Sequence, residues 1–129
     1  MTLDEAIARA DKLLPGEPAA HGASDPRWQA IIDVADHIPS DAEGVWRFVE
    51  RWGNHPQDDL RDAIATCVLE HLLERHFDTI FPRVAAWART DTAFADTVSR
   101  CWSFGQMELP ANAAMFRALL EEVARGPAA

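Results

Sequence analysis

The densest group of side chains that could do chemistry lies in EHLLERH, residues 70–76. On a helix Glu70 and Glu74 share one face, and His71 can reach Glu74 one turn further on. Such a group could transfer protons or bind a metal ion. The spacing is not the H-E-x-x-H of zinc-binding helices, and only one histidine shares the face of the acids. Because His71 also continues an apolar line, we expect a buried structural histidine, with no metal and no cofactor. Acid–base chemistry at the surface is the alternative.

A second cluster consists of carboxylates at the start of one predicted helix. Asp58, Asp59 and Asp62 would favour the dipole of that helix by about 0.3–1 kcal/mol each, which is a sufficient structural reason for them. The alternative is a binding surface, because stacked helices would bring acids of the preceding repeat alongside. The residues of this predicted protein-binding strip are Asp33, Asp36, Asp58, Asp59 and Asp62.

Charge narrows the class of partner. The 129 residues include 12 basic and 21 acidic side chains, which gives a formal net charge of −9. Residues 1–62 hold 13 acids and 6 bases, whereas residues 63–129 hold 8 acids and 6 bases. An acidic surface repels the phosphate backbone. We therefore expect a protein partner and no nucleic acid, and the sequence leaves the oligomeric state open.

Length and composition favour a single domain over residues 1–129. No apolar run approaches the roughly 20 residues that cross a bilayer, and the first residues carry acids where a secretory signal carries bases. We therefore expect no membrane association and a cytoplasmic location. Cys67 and Cys101 lack CxxC spacing, which favours reduced core thiols over a disulfide or a zinc site.

The helix start and stop signals predict an all-α chain. Strand signals are almost absent, since there is no tyrosine, no Asn-Gly or Asp-Gly turn and no sustained apolar–polar alternation. Capping boxes at Thr2–Glu5 and Ser40–Glu43, and Asp25 before a proline, mark helix starts. Gly53 is expected to be left-handed at a helix end. The seven predicted helices cover about 3–14, 26–38, 41–52, 58–75, 79–89, 92–102 and 110–124, with a loop at 15–25 and a frayed tail at 125–129.

An apolar pattern at i, i+4 and i+7 recurs in alternate helices. Any amphipathic helix supplies one such triplet, but six in alternating register indicate repetition. A non-repeating helical bundle is the alternative. One set contains Trp28, Ile32 and Ala35, then Leu60, Ile64 and Cys67, then Phe94, Val98 and Cys101. The other contains Val45, Val49 and Trp52, then Ile80, Val84 and Trp87, then Phe116, Leu120 and Val123.

The tryptophans divide along the same lines. Those on the repeated apolar lines are expected in the core, namely Trp28, Trp52 and Trp87. Trp46 and Trp102 lie beside the lines, so either could be a partly exposed anchor for a partner.

The stretch DDLRDAIATCVLEHLL, residues 58–73, resembles the first helix of a HEAT-like repeat, with Asp59, the Leu60–Arg61 pair and Ala63 at the typical positions. DPRWQAIIDVAD, residues 25–36, is similar at its Asp-Pro start, and DTAFADTVSRCW, residues 91–102, shares the aspartate and the apolar spacing. The resemblance implies a right-handed α-solenoid of about three helical hairpins plus an N-terminal helix. HEAT-like folds mostly supply binding surfaces.

Small size, a helical repeat and an acidic charge resemble, by type, bacterial immunity proteins, which block a cognate toxin by covering its site. Nuclease toxins carry basic clefts, which an acidic surface complements. We therefore expect a non-catalytic protein-binding module. A scaffold or regulatory subunit of a bacterial assembly is one alternative. A HEAT-like DNA-repair enzyme is another, but it would need a basic concave face.

Overall fold

The computed structural model describes residues 1–20 and 24–126. Within these ranges the chain forms helices, turns and loops and no β-strand. A π-helical turn, Ala65–Leu69, joins the fourth helix to the fifth, and a short 3-10 turn, Gly105–Glu108, precedes the last. The helices are α1 (Leu3–Leu13), α2 (Pro26–Ala35), α3 (Ala42–Trp52), α4 (Asp58–Ile64), α5 (Glu70–Ala88), α6 (Thr92–Ser99) and α7 (Pro110–Ala124).

The predicted loop at 15–25 is non-helical at 15–20 and 24–25, and its residues 21–23 lie outside the described part. Residues 127–129 of the predicted tail also lie outside the described part. Helix α7 ends at Ala124, as expected. Among the described helices, none combines the length and the apolar character that crossing a membrane requires.

Most of the predicted helix starts are confirmed. Thr2 and Glu5 form both hydrogen bonds of a capping box, and Asp25 caps α2. The predicted box at Ser40–Glu43 is wrong, because Asp41 caps α3 by accepting a hydrogen bond of 2.9 Å from the N–H of Gly44. The Ser40 hydroxyl instead donates to the carbonyl of His37.

Gly53 ends α3 but is not left-handed as predicted, since its φ is −62°. The residue lies where two helices approach closely. A Cβ there would stand 2.6 Å from the carbonyl oxygen of Val49 and 3.0 Å from the ring of Phe94. Close approach, rather than backbone conformation, therefore explains the glycine.

The predicted helices at 58–75 and 79–89 form one run with two irregularities. The π turn was not predicted. The second irregularity is a kink at His76, whose φ of −136° and ψ of 44° are not helical. Gln106 satisfies the backbone there, because its side chain accepts from the N–H of Phe77 at 2.9 Å and donates to the carbonyl of Arg75 at 2.8 Å. Two other ends were predicted three residues too late, since α2 stops at Ala35 and α6 at Ser99.

Five of the six apolar triplets face or border the core throughout, whereas in the triplet of α2 Trp28 and Ala35 border it and Ile32 does not. In α2 the buried residues are Arg27, Ala30, Ile31 and Val34, whereas Ile32 is 37% exposed. The choice between the adjacent isoleucines is made by the packing of α2 against α1 and the π turn, which local spacing does not encode. Trp46, which the sequence left open as a partly exposed anchor, is instead buried and packs edge-on against Trp87 with 6.5 Å between ring centroids. Trp28, Trp52 and Trp87 are only partly buried against the core.

Alternate helices contact one another. Helix α2 contacts α4, and α4 contacts α6, while α3 contacts α5 and α5 contacts α7. Sequence neighbours also pack, most extensively α1 with α2. These contacts place the end of α2 beside the π turn, where the candidate site lies.

Arg27 ties the first loop to α2 and α4. Its side chain is 2% exposed and donates to Asp25 at 2.7 Å, to Asp59 at 3.0 Å and to the side-chain oxygen of Gln57 at 2.6 Å. A further bond of 3.3 Å reaches the carbonyl of Gly16. The hydrogen bond from Arg27 holds the pKa of Asp25 below its usual 3.8.

Candidate binding site

Four of the five aspartates of the predicted acidic strip lie within 4.0 Å of an arginine, and each has a different arginine as its partner. Asp33 on α2 pairs with Arg9 at 3.2 Å, and Asp59 on α4 is tied to Arg27. Asp59 also accepts a hydrogen bond of 3.2 Å from the indole N–H of Trp28. These two carboxylates therefore have structural roles that spacing did not reveal.

Asp58, Asp62 and Asp36 are held more loosely. Asp58 is 4.0 Å from the guanidinium of Arg61, and Asp62 is 3.9 Å from that of Arg100. Asp36 is exposed and makes no ion pair with the described residues. It lies at the end of α2, on the edge of a groove.

That groove, which we call the α2–α5 groove, is an open cleft of about 460 Å³ between the end of α2 and the start of α5. This volume falls in the range of roughly 300–1,000 Å³ typical of binding clefts. The lining residues that matter below are Ile32, Ala35, Asp36, Cys67, His71 and Glu74. The groove thus combines exposed aliphatic surface with carboxylates and one imidazole.

His71 is not the buried core residue that the apolar line predicted, since its side chain is 42% exposed. The cause is the π turn, which advances the buried line by one residue, so that Val68 and Leu72 enter the core in place of Cys67 and His71. The predicted contact with Glu74 is present, with 2.9 Å between Nδ1 of His71 and Oε1 of Glu74.

Glu70 is buried instead, at 4% exposure, although spacing placed it with Glu74. Its carboxylate accepts a hydrogen bond of 3.1 Å from the backbone N–H of Trp102. Burial raises the pKa of Glu70 above its usual 4.5, although that hydrogen bond acts in the opposite direction. A buried glutamate carries no local sequence signal, because the π turn that rotates it inward was not predictable from periodicity.

The segment after α6 presents two exposed aromatic side chains, which we call the aromatic pair. Trp102 is 70% exposed, which agrees with its interpretation as a candidate anchor outside the core. Phe104 is 41% exposed. The ring of Phe104 stacks on that of His71 with 6.3 Å between centroids and 12° between planes. Through this contact with His71, Phe104 adjoins the α2–α5 groove, and Trp102 lies two residues earlier on the same segment.

Gly105 holds this segment against α5. Its φ is +52°, a conformation that favours glycine. A Cβ at this position would stand 2.9 Å from the carbonyl oxygen of Glu74. Gly105 therefore lies close against Glu74. This close approach, together with the hydrogen bond from the N–H of Trp102 to Glu70, fixes the backbone that carries the aromatic pair.

The two thiols are poor nucleophiles. Burial raises the pKa of the Cys67 thiol above its usual 9.0, and raises that of Cys101 well above it. Within residues 1–20 and 24–126, no three histidine, cysteine or acidic side chains are placed to hold a metal ion. What the groove offers is shape, aliphatic surface and charge, which are the elements of a docking surface.

Comparison of the chain with protein-family models, curated proteins and solved structures found no match.

Proposed function

We propose that this chain is a non-catalytic protein-binding module that acts in the cytoplasm on a basic protein partner. The observation that carries the proposal is the α2–α5 groove, which is open, aliphatic along its α2 side and adjoined by Phe104 through its contact with His71. The same segment exposes Trp102, and tryptophan is enriched among the residues that dominate binding energy at interfaces. The acid content of the chain supports a partner of opposite charge.

The proposal extends to the form of the scaffold. We propose a short right-handed α-solenoid of HEAT-like hairpins with an N-terminal helix. The contacts between alternate helices support it, because stacked hairpins bring every second helix into contact.

By type, the proposed module is an immunity protein that covers the basic cleft of a cognate toxin. An electronegative surface accelerates encounter with such a cleft and competes with its nucleic-acid substrate. Asp36, Asp58 and Asp62 are the best placed contacts of the predicted strip, because none of them is drawn into a close ion pair. Asp33 and Asp59, which are held by Arg9 and Arg27, would contribute through the negative potential of the surface.

The test is co-expression with the product of the adjacent gene, followed by calorimetric titration of the purified pair at about 50 and 300 mM salt. We expect a complex that weakens with salt and removes the toxicity of the neighbouring protein. Asp36→Lys and Asp58→Lys should slow association, and Glu121→Lys on the exposed face of α7 is the matched control. Asp59→Lys is unsuitable, because it would break the bond to Arg27. Absence of a complex, or one that does not respond to salt, would contradict the proposal.

A further inference from the structure

The walls of the α2–α5 groove are helical on both sides. One wall is the last turn of α2 with the turn that follows it, and the other is the π turn with the start of α5. Backbone groups inside helices are already hydrogen-bonded, so these walls offer few partners to another backbone. An extended segment in the groove would bury unpaired N–H and C=O groups, which is costly. A helix satisfies its own backbone and avoids that cost.

The aliphatic surface of the groove lies on the α2 side. Ile32 is 37% exposed, whereas the residue just before it in α2, Ile31, is fully buried. Ala35 lies one turn further along and is partly exposed. Aliphatic side chains of a docked helix, spaced three or four residues apart, would cover these two positions.

The charges of the groove set the chemistry of the occupant. Asp36 stands at the α2 side without an ion pair to any described residue, and Arg75 lies on the opposite wall. Glu74 is engaged by His71. A cation on the occupant would therefore be attracted to Asp36 on the α2 side, whereas on the opposite wall the charges of Glu74 and Arg75 oppose each other.

We propose that the α2–α5 groove receives an amphipathic helix of the basic partner, with an aliphatic side chain against Ile32 and a lysine or arginine against Asp36. This inference rests on the proposed function and names the element that the partner presents. Phe104 then covers the end of the docked helix near His71, since it already packs on that ring.

The test is selection of helix-forming peptides of about 16 residues from a displayed random library against the purified chain. We expect enriched peptides with aliphatic residues at i, i+3 or i+4, and i+7, and with a lysine or arginine beside that stripe. Ile32→Ser and Asp36→Lys should each weaken the enriched peptides by about tenfold or more, as expected for anchor contacts. Matched controls are Met115→Ser and Asp78→Lys, which change exposed residues away from the groove and should alter affinity less than about twofold.

The outcomes separate this inference from the proposed function. Failure to enrich peptides, or equal binding to the groove and control variants, overturns the helix-docking proposal. If the basic partner binds the wild-type chain and the Ile32→Ser variant equally, the groove is wrong as its docking site, while the proposed binding of a basic partner stands. If enriched peptides occupy the groove but no basic partner binds, the proposed function is wrong while the docking site stands.

Discussion

The buried carboxylate of Glu70 accepts a hydrogen bond from the backbone N–H of Trp102, a residue 32 positions further along the chain. This bond joins the start of α5 to the segment that carries the exposed aromatic side chains. Because the carboxylate is enclosed, its charge state affects both the stability of the fold and the position of that segment.

The first prediction concerns the pH dependence that Glu70 imparts. Its raised pKa means that the folded chain binds this proton more tightly than the unfolded chain. Its contribution to stability is therefore fully present below its unfolded pKa and is lost as pH rises through the raised folded pKa. Glu70→Gln keeps an oxygen acceptor without the charge. We expect the free energy of unfolding of this variant, relative to wild type, to be greater at about pH 8 than at about pH 4.5.

Urea unfolding of both proteins at the two pH values measures this difference. Glu108→Gln, an exposed residue of the 3-10 turn, is the control and should show no such change. A difference between Glu70→Gln and wild type that is the same at both pH values would contradict the assignment of a buried, titrating carboxyl.

The second prediction concerns Arg27. Arg27→Met should lower the free energy of unfolding by about 2–3 kcal/mol, since removal of one partner of a buried ion pair typically costs about 3–5 kcal/mol and the partly exposed aspartates here are screened. The lowered pKa of Asp25 means that this pair stabilises the fold above pH 3.8 and that the stabilisation is lost as pH falls through the lowered pKa. Arg27→Lys should recover only part of the loss, because an ammonium lacks the planar fork.

Denaturant unfolding at neutral and acid pH checks these values. Arg47→Met, at an exposed position of α3, should change the free energy of unfolding by no more than about 0.5 kcal/mol. An equal effect of the two methionine substitutions would show that the Arg27 bonds do not stabilise the fold.

The third prediction concerns Gly53. Gly53→Ala should destabilise the fold by about 1–3 kcal/mol, because the added methyl group would displace either the end of α3 or the ring of Phe94. The φ of Gly53 is ordinary, so backbone strain does not contribute. Thermal unfolding measures the loss. Phe94→Leu in the same chain should relieve part of it, and full additivity of the two substitutions would argue against the close contact.

The fourth prediction concerns the thiols. Cys67 lines the groove, whereas Cys101 directs its thiol at the carbonyl of Ala65, 3.7 Å away. At about pH 7.5, iodoacetamide should modify Cys67 slowly and Cys101 more slowly still, because burial raises the pKa of both. Mass spectrometry of the native chain, with a guanidinium-denatured sample as control, measures both rates. Modification of Cys101 as fast as that of Cys67 would contradict the structure.

Local signals predicted most of the fold. The capping residues Thr2 and Asp25 and the apolar lines of five helices gave the helical class and most boundaries correctly. The candidate site was less predictable, because its geometry depends on the π turn and on long-range bonds. Arg27 pairs with Asp59 across 32 residues, and no local spacing distinguishes that aspartate from its neighbour Asp58, which makes no such bond to Arg27. The choice of Ile31 over Ile32 for the core likewise depends on the neighbouring helices.

The turn Ala65–Leu69 accommodates one residue more than regular α-helical geometry would hold. Each α-helical residue advances by about 100°, so a chain one residue shorter here would present Glu70 and His71 at different angles from those described. Such a chain could retain the architecture while presenting another set of side chains to the outside. A one-residue gap in this stretch among homologues would therefore mark a change in the side chains of the groove rather than a change of scaffold.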